Sequence, residues 1–149
     1  MTDLSIAIDL CKHFEGFRPK PYLCPAGIPT IGYGSTYYEN GQRVSMTDIE
    51  ITKEQADLLL RNELHKTYLP GVFRLCPILS RHNGKLNAIV DFAFNLGVGR
   101  LQSSTLRRKI NAQDWPGAKT ELQKWVRGGG RVLPGLVLRR NAEGVYFGG

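Results

Sequence analysis

Hydrophobic positions along the chain follow two rhythms. Leu4, Ala7, Ile8, Cys11 and Phe14 recur at helical spacing, which predicts a short amphipathic helix over residues 4–14. That helix delivers Glu15 at its C-terminal end, and Gly16 follows as a stop. From Pro19 to Ser45 the texture changes to Pro, Gly, Tyr, Thr and Ile. It is punctuated by Pro25-Ala26-Gly27 and by Asn40-Gly41, a dipeptide suited to a tight hairpin turn. A small antiparallel sheet is predicted there, over roughly residues 22–45.

The helical rhythm then returns. Thr52-Lys53-Glu54-Gln55 has the form of a capping box, in which the Thr hydroxyl and the Gln side chain satisfy each other's backbone N–H groups. A helix is predicted from there to about Tyr68, burying Ala56, Leu59, Leu60 and Leu64 and ending before Pro70-Gly71. A further helix over about 82–96 has Leu86, Ile89, Val90, Ala93 and Phe94 as its inward stripe and Gly97 as its stop. Ser103 or Ser104 caps a short helix through Ile110, and Asp114 caps another carrying Ala118, Leu122 and Trp125. Gly128-Gly129-Gly130 reads as a flexible break too short for a domain linker, and Pro134 opens a last helix through Val137 and Arg140. One helix, a small sheet and then many helices is an α+β order with segregated elements.

Length and composition narrow the picture further. A chain of 149 residues fits one domain, or two lobes sharing a long helix. A chain of this size buries roughly 70% of the surface its unfolded form exposes. No run approaches the about 18 apolar residues of a membrane span, so stable insertion is not expected. The start, Met1-Thr2-Asp3-Leu4-Ser5, lacks a basic n-region. No secretory signal is therefore read, and synthesis in the cytoplasm is expected. A target outside the cytoplasm would need another agent to provide the exit. Cys11, Cys24 and Cys76 share no metal-ligand spacing and form no even framework, which suits reduced thiols; no metal site and no cofactor are read. The net charge of +7 selects anionic partners: nucleic acid, acidic lipid, or peptidoglycan with its attached anions.

The chemistry concentrates near the N-terminus. Glu15 lies between Phe14 and Phe17, and an apolar surround would favour its protonated form. Taken alone, a Glu between aromatics is more often a surface residue than a catalyst. The segments around it add information by their order: Phe14-Glu15-Gly16, Tyr22-Leu23-Cys24, and Gly27 through Gly34 with Thr30-Ile31-Gly32-Tyr33-Gly34. Downstream come Phe92-Ala93-Phe94-Asn95-Leu96-Gly97, Ser104-Thr105-Leu106, and Trp125 with Pro134-Gly135-Leu136 and Arg139 through Glu143. Taken together these segments resemble the phage-type lysozymes, glycoside hydrolase family 24, over nearly the whole chain.

The resemblance implies an α+β, lysozyme-like fold: one catalytic domain over 1–149, with a sheet lobe over about 18–50, a larger helical lobe, and the active-site cleft between them. It implies an endolysin, a muramidase that hydrolyses the β-1,4 bond between N-acetylmuramic acid and N-acetylglucosamine in bacterial peptidoglycan. Glu15 would be the general acid, protonating the leaving oxygen as an oxocarbenium-like sugar develops. Thr30 would position water on the opposite face, although by itself it also reads as a β-branched strand residue. Cys24 stands where the commoner family pattern has an Asp. As a thiolate, favoured by Lys20, Arg18 or a local dipole, it could assist the water, stabilise the cationic sugar or attack the anomeric carbon; as a thiol it is an inert turn residue. Tyr33, Phe94, Asn95 and Thr105 are the implied substrate-binding residues, with core packing the alternative for Phe94.

Two further features depart from, or add to, the family pattern. Ser35 follows Gly-Tyr-Gly where many relatives carry a structural His, which raises the question of how the sheet is braced. The run Arg107-Arg108-Lys109 is by default a solvated helix face, and otherwise a grip on the anionic wall. The resemblance also implies a monomer, made in a host bacterium and released to the wall by a pore-forming holin. Inversion at the anomeric carbon is expected by family analogy. A lytic transglycosylase would use the same acid but leave anhydro ends, and Thr30 at the water position argues for hydrolysis. A basic nucleic-acid-binding domain explains the charge but not the Glu-Cys-Thr order, and no helix concentrates basic residues on one face, so no nucleic-acid partner is expected.

Overall fold

Glycine and proline positions decide where the first elements begin and stop. In the computed structural model, which describes residues 2–148, helix α1 (Ser5–Glu15) buries Ala7, Ile8 and Cys11. It ends at Gly16, which has φ +71° and donates its N–H to Lys12 O at 3.0 Å. The chain turns directly into β1 (Arg18–Leu23), which pairs antiparallel with β2 (Pro29–Gly32), Tyr22 opposite Thr30. The sheet therefore starts earlier than predicted. Its predicted second half is reduced to isolated bridges, Ile31 with Ser35 and Tyr37 with Arg43. Asn40-Gly41 does form the tight turn, with Gly41 N–H on Tyr38 O and Tyr38 N–H on Gln42 O.

The helical part departs from prediction at proline and at glycine. The capping box forms as expected, with Thr52 Oγ1 accepting from Gln55 N and Gln55 Oε1 accepting from Thr52 N. Helix α2 (Lys53–Glu63) does not stop before Pro70, however. It passes through a π turn (Leu64–Tyr68) into α3 (Leu69–Leu75), with Leu69 N–H reaching back five residues to Leu64 O. A wide turn of this kind accommodates a proline ring that would clash with the carbonyl four residues back in a regular helix. A 3₁₀ turn (Pro77–Arg81) leads into α4 (Asn83–Leu96), then α5 (Val98–Gln102), α6 (Thr105–Asn111, capped by Ser104) and α7 (Trp115–Leu122, capped by Asp114). Trp125 lies beyond α7 and packs edge-on against Phe92, 5.6 Å between ring centroids. The glycine run is not a loose break. Arg127–Gly128 (β3) pairs with Arg131–Val132 (β4) across Gly129-Gly130, whose φ values of +60° and +81° suit a two-residue hairpin turn. Helix α8 (Pro134–Gly144) and a 3₁₀ turn (Val145–Phe147) close the described chain.

Helix α4 is the axis of the core. Every residue from Leu86 to Ala93 is buried, and α1 and α8 both pack on it. A helix enclosed on all sides can hold polar groups only if they are paired. Asn87 meets this by accepting from Ala7 N and donating to Asp3 O and Asn83 O, which pins α1 to α4. A second, smaller apolar cluster of Ile31, Val44 and Leu59 joins the sheet region to α2. Among the described residues no helix is long and apolar enough to cross a membrane.

Candidate active site

Glu15 is the last residue of α1, and two contacts fix its side chain. Arg139 Nη1 on α8 donates to Glu15 Oε2 at 2.7 Å. The main chain of Gly34, at φ +86°, lies so close that a Cβ there would fall 2.9 Å from Glu15 Oε1. Only glycine combines that backbone conformation with that approach. The apolar surround expected from Phe14 and Phe17 is not what faces the acid. Phe14 turns its ring to the Arg139 guanidinium, 5.5 Å away, and Phe17 packs on Tyr33. The nearest group to the carboxylate is a cation.

Behind that cation lies a buried polar network. Arg139 donates from Nε and Nη2 to Asp91 on α4, at 2.9 and 2.8 Å, and the Cys11 thiol donates to Asp91 Oδ1 at 3.2 Å. Burial alone would raise the Asp91 pKa. Hydrogen bonds from Glu143, Arg139 and Cys11, with the Arg139 charge, hold it below the usual carboxylate range instead. Glu143 goes the other way, pushed well up by burial and then by the bond and charge of Asp91. Burial also raises the Cys11 thiol, so it stays a proton donor.

The β1–β2 hairpin supplies the other groups. Cys24 follows β1, half-buried, with its N–H on Ile28 O at 3.1 Å. Its pKa is lowered, foremost by the backbone N–H of Ile28, with the Ala26 N–H adding to it. Of the influences expected on the thiol, the local backbone dipoles lead. Thr30 on β2 is only 3% exposed, and its hydroxyl donates to Ile28 O at 2.8 Å, which leaves its oxygen lone pairs available to accept. Tyr22 links the two walls. Burial raises its phenol first, and negative charge at both Glu15 and Cys24 adds to the rise. The Arg18 guanidinium sits 4.1 Å over its ring.

The four residues implied as substrate contacts fare differently. Tyr33 is buried between Phe17 and Lys12, so its ring packs the core and presents no open face to a sugar. Phe94 is half-buried and stands edge-on to Tyr68 of the π turn, 5.3 Å between centroids. Asn95 is also half-buried, and its Oδ1 accepts from Arg140 Nη2, leaving the amide nitrogen free of protein partners. Thr105 Oγ1 accepts from Arg108 Nη2 at the start of α6. Sequence reasoning singled out none of Tyr22, Asp91 or Arg139 as site residues. Tyr22 had a signal in its pairing opposite Thr30. Arg139 lies 124 positions from Glu15, beyond the reach of any local spacing.

Glu15 at a helix end, the hairpin that carries Cys24 and Thr30, and a helical body around the buried α4 make up a lysozyme-type fold. The chain belongs to the phage lysozyme family, whose family model matches residues 12–143. It is 37% identical over 143 residues to an endolysin of Acyrthosiphon pisum secondary endosymbiont phage 1, covering 93% of this chain and 92% of that protein. It is 38% identical over 145 residues to an endolysin of Bacillus phage B103, spanning 94% of this chain but about half, 51%, of that longer protein. Among solved structures, the endolysin from Escherichia coli O157:H7 phage FAHEc1 superposes with a TM-score of 0.84 at 30% identity, covering 98% of this chain and 93% of that one.

Proposed function

We propose that this chain is an endolysin of one catalytic domain, a muramidase that hydrolyses the β-1,4 bond between N-acetylmuramic acid and N-acetylglucosamine in peptidoglycan. The observation that carries this reading is Glu15, held by Arg139 and Gly34 at the end of α1, with Tyr22 of the hairpin feeling charge at both Glu15 and Cys24, in a chain of the phage lysozyme family. Glu15 in its protonated form gives its proton to the leaving glycosidic oxygen as the C–O bond breaks. Water approaches the opposite face of the oxocarbenium-like sugar. It donates one hydrogen bond to Thr30 Oγ1, whose own proton is engaged by Ile28 O. As the water oxygen bonds to the anomeric carbon, the Cys24 thiolate takes the released proton, and the sugar inverts. Asn95 and Phe94 offer an amide and a ring edge to the N-acetyl groups and pyranose faces. The enzyme acts as a monomer and reaches the wall through a holin pore.

The test is turbidity loss on purified peptidoglycan, with mass spectrometry of the released fragments. Glu15→Gln is expected to lose at least about 10²-fold in rate, the usual worth of a general acid. Wild-type fragments are expected to gain one water each. Clearing by Glu15→Gln at the wild-type rate, or anhydro ends in the products, would overturn the reading.

A further inference from the structure

The network behind Glu15 contains three carboxyl groups, Glu15, Asp91 and Glu143, and two guanidinium groups, Arg139 and Arg140. Asp91, Arg140 and Glu143 are fully buried and Arg139 is 4% exposed. With every group ionised the cluster carries one excess negative charge, and burial makes such an excess costly. One proton aboard makes it neutral. Arg139 is shared, giving two hydrogen bonds to Asp91 and one to Glu15, so the two carboxyl groups compete for a single positive charge.

We propose that Asp91 is a positioning residue for the reaction, taking up most of the Arg139 charge so that Glu15 can carry the proton it must donate. This rests on Glu15 being the general acid. Glu143 has its own cation: Arg140 Nε lies 2.7 Å from Glu143 Oε1, and Arg140 Nη2 donates to Glu143 Oε2 at 2.9 Å. Asp91 instead collects donors, the Cys11 thiol and two Arg139 N–H groups, so the larger part of the Arg139 guanidinium is turned to it.

Titratable and charged neighbours reach this cluster from several elements. They are Cys11 and Glu15 from α1, Tyr22 from β1, Tyr68 from the π turn, and Arg139, Arg140 and Glu143 from α8. The apolar Val72, Leu75, Leu79 and Phe147 line α3 and the 3₁₀ turns that pack on α4. Removing the Asp91 charge leaves Arg139 compensated by Glu15 alone, which favours the ionised form of the acid and depletes the form that donates.

The test is the pH–rate profile of peptidoglycan lysis together with a carbon-13 NMR titration of the Glu15 carboxyl. Asp91→Asn is expected to move the basic limb, and the Glu15 titration with it, down by about one pH unit, roughly a tenfold loss of rate on that limb. An unmoved Glu15 titration in Asp91→Asn overturns the role of Asp91. Should Asp91→Asn fail to fold, Cys11→Ala, which removes one donor to Asp91 without touching its charge, is expected to leave the Glu15 titration within a few tenths of a unit; a full-unit shift there would refute charge compensation as the mechanism. The NMR readout needs no activity, so it separates this inference from the assignment of Glu15, which stands or falls on whether Glu15→Gln still clears.

Discussion

At the residue scale the decisive group is Cys24. A thiolate can accept a proton from water but cannot be replaced in that task by a neutral hydroxyl, whereas a carboxylate can take it over. Cys24→Ser is therefore expected to lose most wall lysis, on the order of 10²-fold, and Cys24→Asp to retain it, both read as turbidity loss on purified peptidoglycan. Wild-type lysis by Cys24→Ser would leave the thiol as a turn residue held by Ile28 and Gly27. The place of Glu15 at a helix end and of Cys24 and Thr30 on the following hairpin was legible in the sequence because each belongs to a short local motif whose order carries the signal. Tyr33 was misread for a related reason. It sits between Gly32 and Gly34, both at positive φ, so the alternation of a strand no longer says which way its ring points. Arg139 and Asp91 were illegible because their meaning lies in contacts across the fold, between α8, α4 and α1.

At the scale of elements, Glu63 shows how the junction of α2 with the π turn is tied to the hairpin. Burial pushes its carboxyl up to about 7. Both Glu63 Oε1 and Ser35 Oγ are buried without a hydrogen-bond partner. The doubt raised by Ser35 about the bracing of the sheet is answered by its main chain, which exchanges two hydrogen bonds of 2.9 Å with Ile31. The folded state binds the Glu63 proton more tightly than the unfolded chain does. Its contribution to stability is therefore fully present below about pH 4.5 and is lost as pH rises through about 7. Glu63→Gln is expected to remove this decline and to be more stable than the wild type at pH 8, by roughly 2–3 kcal/mol. Urea unfolding at pH 4.5 and pH 8 measures it, and an equal pH dependence in the variant would refute it. The run of helix through Pro70 was hidden for a different reason. A proline predicts a stop wherever the helix has 3.6 residues per turn, and only the wider π turn removes the clash.

At the scale of the whole molecule the question is where the net charge of +7 acts. The run Arg107-Arg108-Lys109 is the obvious candidate for a grip on an anionic wall, but each of its members has a partner within the fold. Arg107 donates from Nε to Leu75 O and from Nη1 to Gln102 O, so it ties α6 to the end of α3 and to α5. Asn111 makes a second bond to the same Leu75 carbonyl. Arg108 turns to Thr105, and Lys109 lies 3.4 Å from Asp114. The long-range attraction of the enzyme for the wall is then a property of its distributed charge, and it weakens as salt shortens the screening length. Lysis is expected to fall with added sodium chloride, and the double variant Arg108→Gln, Lys109→Gln to lower the slope against salt by no more than its share of the net charge. Arg107→Gln is expected to act on stability instead, lowering it by about 1–3 kcal/mol because Leu75 O and Gln102 O each lose a charged donor. A salt slope in the double variant reduced well beyond its share of the net charge would instead place the grip in that run.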